Sequence, residues 1–185
     1  MLQFANIENL FKKRNNYMKL LYAPWRGIYT KDVSKNKSTK KSAEECVFCQ
    51  QIKDDNDKEN MILARNEGFY VAINKFPYNP GHLLIIPCQH TANLNDLSSE
   101  TQHKIMDEIS KCIEILKKEM NAEGINVGLN LGKVSGGSIP NHLHFHVLPR
   151  WEGDTNFLPV STDTKPLSAD LFSIYDKLKT AFEIL

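Results

Sequence analysis

A chain of 185 residues is long enough for one domain with its own core and needs no covalent staples. Its 23 basic and 22 acidic residues leave a net charge of +1, so no overall field draws it to nucleic acid or to an anionic membrane, and recognition of phosphate has to be local. No apolar run approaches a membrane span, and the opening Met1-Leu2-Gln3-Phe4-Ala5-Asn6 lacks the basic and apolar regions of a signal peptide, so a cytoplasmic protein is expected. In that compartment the four cysteines read as thiols or metal ligands rather than as a disulfide framework.

Phe4, Ile7, Leu10 and Phe11 recur at helical spacing and predict a short amphipathic helix over 2–13, part of an extension over 1–19 ahead of a single domain over 20–185. Leu20 to Arg26 is apolar and extended, because Pro24 bars it from helix. Lys31 to Glu45 carries almost nothing apolar and suits a mobile tether. Cys46-Val47-Phe48-Cys49 follows, and taken alone it leaves a redox pair, half a zinc site and two incidental cysteines all open. Asp54 to Asn60 reads as a charged loop. Phe69 to Asn74 and His82 to Pro87 are strand-forming runs joined across Lys75 to Gly81, whose prolines and glycine mark a wide turn, and they predict a core hairpin.

Ser99 and Gln102 have the spacing of a capping box, and Ile105, Ile109, Cys112, Ile113, Leu116 and Met120 then hold one apolar stripe until Gly124. That is a long helix with one face on a sheet. Ile125, Val127, Leu129 and Leu131 alternate with polar residues and predict a further strand. The loop Gly132 to Asn141 contains Gly136-Gly137-Ser138, which supplies backbone N–H groups, close approach and a hydroxyl, the parts of an anion nest. After Arg150 the chain closes with an amphipathic helix over 168–183, marked by Leu171, Ile174, Tyr175, Leu178 and Phe182.

Between loop and end lies the most informative stretch, Asn141-His142-Leu143-His144-Phe145-His146-Val147-Leu148-Pro149-Arg150, in which a proline stops the run. Successive side chains of a strand point to opposite faces, so His142, His144 and His146 share one face while Leu143, Phe145 and Val147 share the other. Imidazole fills a strand poorly, and three on one face point to chemistry: a metal site, or a nucleophilic histidine with helpers. At about 3.3 Å per residue the outer two start roughly 13 Å apart, whereas a zinc ion needs each nitrogen at about 2 Å, so at most two of the three share one ion comfortably.

His142-Leu143-His144-Phe145-His146-Val147-Leu148 resembles the signature of the histidine triad family, and Val71-Ala72-Ile73-Asn74 and Asn79-Pro80-Gly81-His82 are similar to its preceding strands. The resemblance covers about residues 20–165. It implies an α+β fold, a curved and mainly antiparallel sheet crossed by a long helix, usually paired into a homodimer. It implies His144 as the nucleophile toward an α-phosphorus, giving a nucleotidyl-histidine intermediate, with His146 at the phosphate or leaving group and Asn74 at ribose hydroxyls. By the pattern of zinc-bearing members, Cys46, Cys49, His90 and His142 would hold a structural zinc.

Asn130, Gly137, Ser138 and Trp151 stand where the diadenosine tetraphosphate phosphorylases of that family have matching residues. The resemblance therefore implies a dinucleoside polyphosphate as substrate and inorganic phosphate as acceptor, with Ser138 in the catalytic set. Ile139-Pro140-Asn141 departs from the small and acidic residues of that branch, which leaves water open as the acceptor. A hydrolase of dinucleoside polyphosphates or of nucleoside phosphoramidates is the near alternative, and a nucleotide-binding module without turnover the distant one.

Overall fold

The computed structural model of the protein describes residues 43–158, 161 and 169–184. The expected helix over 2–13, the segment 20–26, the boundary between extension and domain, and most of the polar stretch 31–45 lie outside them. The described elements are α1 (Val47–Lys53), α2 (Asp57–Asn60), β1 (Ile62–Asn66), β2 (Phe69–Ile73), β3 (Leu83–Pro87), α3 (Ser99–Met120), β4 (Gly124–Leu129), β5 (Phe145–Arg150) and α4 (Leu171–Ile184). The strands form one sheet in the order β1-β2-β3-β5-β4, antiparallel throughout. This is the α+β arrangement the sequence predicts. No helix among the described residues is long and apolar enough to cross a membrane.

Every residue of β2 and β3 is buried, because helices cover both faces of the sheet there. On one face Phe69, Val71, Ile73, Leu83, Ile85, Leu143, Phe145 and Val147 pack against the stripes of α3 and α4. On the other, Tyr70, Ala72, Leu84 and Ile86 meet Cys46, Phe48 and Cys49 from the start of α1. Each buried aliphatic or aromatic side chain contributes about 1.5–3 kcal/mol, so this double burial makes β2 and β3 the anchor of the domain. β4 is the outer strand beside β5 and is half-open to solvent.

Several boundaries differ from the sequence reading. Asp57–Asn60, expected as loop, is one turn of helix whose N-cap Asn56 accepts the Glu59 N–H. β1 was not anticipated, since its apolar content ends at Ala64 before Arg65 and Asn66; a register shift after Ile62 also breaks its alternation. The cap of α3 lies one residue upstream: Ser98 accepts the Thr101 N–H, while Gln102 donates to the Leu94 and Leu97 carbonyls. β4 ends at Leu129, leaving Leu131 exposed. Pro149 does not stop β5, which runs on to Arg150. Beyond Val147 the strand has lost its β3 neighbour and pairs with β4 alone, and a strand with one neighbour tolerates proline.

Candidate active site and metal centre

Cys46 is the N-cap of α1 and Cys49 lies in its first turn, so the three-residue spacing turns both thiols to one side. His90 follows β3, and its turn is stapled to the histidine stretch by the Leu143 N–H, which donates to the Thr91 carbonyl at 2.6 Å. Thr91 is itself held by Asp96, whose carboxylate accepts its hydroxyl at 2.5 Å. These elements bring one ligand atom from each of Cys46, Cys49, His90 and His142 within 4.8 Å of one another. His142 Nδ1 lies 3.3 Å from Cys46 Sγ, 3.5 Å from Cys49 Sγ and 3.3 Å from His90 Nδ1.

A tetrahedral ion with bonds of about 2.3 Å to sulfur and about 2.0–2.1 Å to nitrogen sets its ligands about 3.5–3.6 Å apart across N···S and about 3.3–3.4 Å across N···N. The three spacings from His142 Nδ1 come within about 0.3 Å of these values. The His142 Nε2–H donates to the Pro87 carbonyl at 2.8 Å, which leaves Nδ1 as a lone pair aimed at the centre. Burial pushes the His142 pKa down to about 4, so the ring is neutral at neutral pH. Burial, with Cys46 beside it, pushes the Cys49 thiol up to about 11, and a cation in the cluster reverses that by taking the proton's place. The four residues can hold a metal ion, and their soft, closed donor set suits zinc better than a hard cation.

His144, next on the same face, is buried and donates its Nδ1–H to the His142 carbonyl at 2.8 Å. A carbonyl can only accept, so in the neutral ring Nε2 keeps its lone pair. Burial holds the His144 pKa below the ordinary histidine value and preserves that form. The Phe48 ring, between the two cysteine ligands, stands 5.0 Å from the His144 ring and meets His142 edge-on at 5.4 Å. The apolar wall beside the nucleophile candidate is thus built from the same four residues that carry the thiols.

His146 is governed by His82, to which the sequence reading gave a place in a strand and a motif but no role at the site. The Tyr78 backbone N–H, which can only donate, points at His82 Nδ1 at 3.2 Å, so the proton of neutral His82 is on Nε2. His82 Nε2 lies 2.9 Å from His146 Nδ1 and donates to it, which places the His146 proton on its own Nε2. The two neighbouring imidazoles therefore carry opposite tautomers, one offering a lone pair at Nε2 and the other an N–H, with ring centroids 4.9 Å apart. Asn74 adjoins them: its amide nitrogen faces His82 Nδ1 at 3.2 Å and its oxygen accepts the Phe76 N–H. A histidine opening an otherwise apolar strand was the one available signal for His82.

Asn130 is the first residue beyond β4, and the pairing of the two strands ends at Leu129 and Phe145, so Asn130 and His144 are the next residues along. Gly137 packs on Asn130: a Cβ there would sit 3.4 Å from the Asn130 Cβ. Gly132 and Gly136, at φ of +79° and +87°, bracket a single 3-10 turn over Lys133–Ser135, which explains the glycine-rich loop. Ser138 is half-buried in the same loop. Trp151 is placed differently. It packs with the core on the α3 side and donates its indole N–H to the Met120 and Asn121 carbonyls at the end of α3.

Sheet, covering helices and imidazole row define an α+β protein with a histidine site beside a Cys2His2 centre. The model of the HIT domain matches residues 55–153, and the chain belongs to that family. It is 34% identical over 152 residues to the AP-4-A phosphorylase of Mycobacterium tuberculosis, covering 82% of this chain and 78% of the relative. It is 34% identical over 92 residues to the bis(5'-adenosyl)-triphosphatase of Saccharomyces cerevisiae, covering 49% of this chain and 44% of that protein. Among solved structures it superposes on a Zn-bound histidine triad family protein from Mycobacterium smegmatis with a TM-score of 0.62, at 24% identity over 77% of this chain and 96% of the other, a likeness of fold.

Proposed function

We propose that the protein is a nucleotidyltransferase that cleaves dinucleoside polyphosphates, diadenosine tetraphosphate among them, through a nucleotidyl-histidine intermediate, with inorganic phosphate as the acceptor. The observation that carries this reading is the pair of opposed tautomers. Nε2 of His144 attacks the α-phosphorus in line, forming an N–P bond as the bond to the bridging oxygen breaks. The Nε2–H of His146 hydrogen-bonds the departing oxygen, which leaves as a phosphate anion and needs no proton. Phosphate then displaces His144 from the phosphorus and releases a nucleoside diphosphate.

Asn130, Gly137 and Ser138 hold the non-bridging oxygens from the loop, where positioned N–H and O–H groups stabilise developing charge. Asn74 takes the ribose hydroxyls. Trp151, with its N–H committed to α3, contributes to nucleotide binding only through its ring. Zinc on Cys46, Cys49, His90 and His142 is structural; when bound it supplies a fixed anchor for the His142 ring. We further read the protein as cytoplasmic and as a homodimer, the pairing supported by the outer edge of β4, which is the free edge of the described sheet on that side. The relatives' names, a phosphorylase and a triphosphatase, support the substrate class.

The test is product analysis of diadenosine tetraphosphate with and without inorganic phosphate. ATP and ADP appearing only with phosphate is the expected result. ATP and AMP in both tubes would replace phosphate by water as the acceptor.

A further inference from the structure

Gly128 lies inside β4, where a glycine weakens a strand unless something requires it. The usual requirements are a left-handed φ, a bulge, or a close neighbour. Gly128 is not among the residues with positive φ. The register from Gly124–Arg150 to Leu129–Phe145 runs on without a shift. A Cβ built on Gly128 meets no described atom within 4 Å, in contrast to Gly81 and Gly137, where one would sit 3.3 Å from Met120 Cε and 3.4 Å from the Asn130 Cβ. Nothing among the described residues accounts for the missing side chain.

Its position does. Gly128 is the direct partner of His146, and residues opposite one another in an antiparallel pair share a face with their Cβ positions about 5 Å apart. On that face the neighbour Asn126 is turned to Arg150, whose Nη1 donates to its Oδ1 at 2.9 Å. Among the described residues, therefore, nothing occupies the place opposite His146 where a strand would ordinarily carry a side chain.

We propose that Gly128 is a specificity-determining residue: the space over it is the opening through which the leaving group passes beside His146. This rests on the reading of His144 as nucleophile and His146 at the departing oxygen. A dinucleoside polyphosphate leaves as a nucleoside polyphosphate, a long anionic chain that needs clearance beyond that oxygen; a small leaving group does not. A side chain at 128 screens substrates by the size of what departs, and leaves the nucleotidyl half untouched.

The experiment compares diadenosine tetraphosphate with adenosine 5'-fluorophosphate, which presents the same adenylyl group and releases only fluoride. Gly128→Val is a good strand former, so its melting temperature is expected to equal or exceed that of the parent. Its kcat/KM for diadenosine tetraphosphate is expected to fall on the order of 10–100-fold, with the fluorophosphate within about 2-fold and Gly128→Ala between, the discrimination available from a few misplaced methyl groups. Equal losses on both substrates, or loss on neither, overturn the proposal. Equal losses together with a change in sedimenting mass overturn it by making Gly128 an interface residue. Turnover of neither substrate by the parent protein overturns the transferase reading and this one with it, so the two failures are told apart.

Discussion

The histidine stretch, which enters the sheet only at Phe145, runs through two environments that differ in how tightly they are closed. Under α1, His142 is held at both ring nitrogens, packed edge-on by Phe48 and sealed among Cys46, Cys49 and His90. Further along, His144 is walled by Phe48 of the same helix, and His146 lies half-buried opposite the exposed Gly128 of β4. The chemistry of imidazole is the same in both; what differs is the set of partners each ring meets. The two environments are also joined, since the His142 carbonyl receives the His144 proton.

Removing the proposed nucleophile separates the two most sharply. His144→Ala is expected to lower turnover on the order of 10³-fold or more while metal content and melting temperature hold, measured by steady-state kinetics beside metal analysis. Cys49→Ser acts from the closed side. Metal at 100 times its dissociation constant stabilises by about 2.7 kcal/mol, and that increment should vanish in the variant and in chelator-treated parent protein alike, as read by denaturation. If the variant keeps full turnover after losing its metal, the carbonyl link between the two environments carries nothing.

His82→Phe keeps a ring in place but removes the hydrogen bond that sets the His146 tautomer. A loss of about 10–100-fold in kcat with little change in KM is expected, within the range for a lost proton-positioning group. An unchanged kcat would show that His146 finds its tautomer unaided. The smallest effect concerns the frame. Asp154 accepts from Arg150, Asn79 and the Trp151 N–H, and Arg150 above all holds its carboxyl below the usual carboxylate range. A depressed carboxylate contributes stability that is complete above its unfolded pKa and is lost as pH falls through the folded value. Asp154→Asn should therefore cost about 1–2 kcal/mol by denaturant melts at neutral and mildly acidic pH alike, and the two proteins should converge only below about pH 4.

Much of this was readable before any coordinates, for definite reasons. Alternation in Leu143 to Val147 fixed which residues face the core, and the two unbroken apolar runs announced the doubly covered hairpin. What escaped was whatever depends on partners distant in the chain. His82 meets His146 across 64 positions, and only the register of β3 on β5 makes them neighbours. Phe48 read as the filler of a Cys-x-x-Cys motif until α1 laid it against the imidazoles. β1 escaped because its second half is polar and its bulge interrupts the period of two that betrays a strand. The four metal ligands rested on family resemblance, since Cys46 and His142 are 96 positions apart and no local pattern links them.

The ladder of β5 begins at Phe145, one residue after His144. His142 to His144 thus lie between a finished sheet and a side-chain cluster, tied to the rest by the staple from Leu143 to Thr91 and by the His142 ring. The consequence is one of order in time. Strand pairing can be complete while the His142 and His144 rings are still unset, so ion capture can come after folding and set them last. In such a chain the setting of the histidine rings matures after the strands have paired, and amide hydrogen exchange along 142–144 is expected to follow metal loading while that of β2 and β3 stays silent.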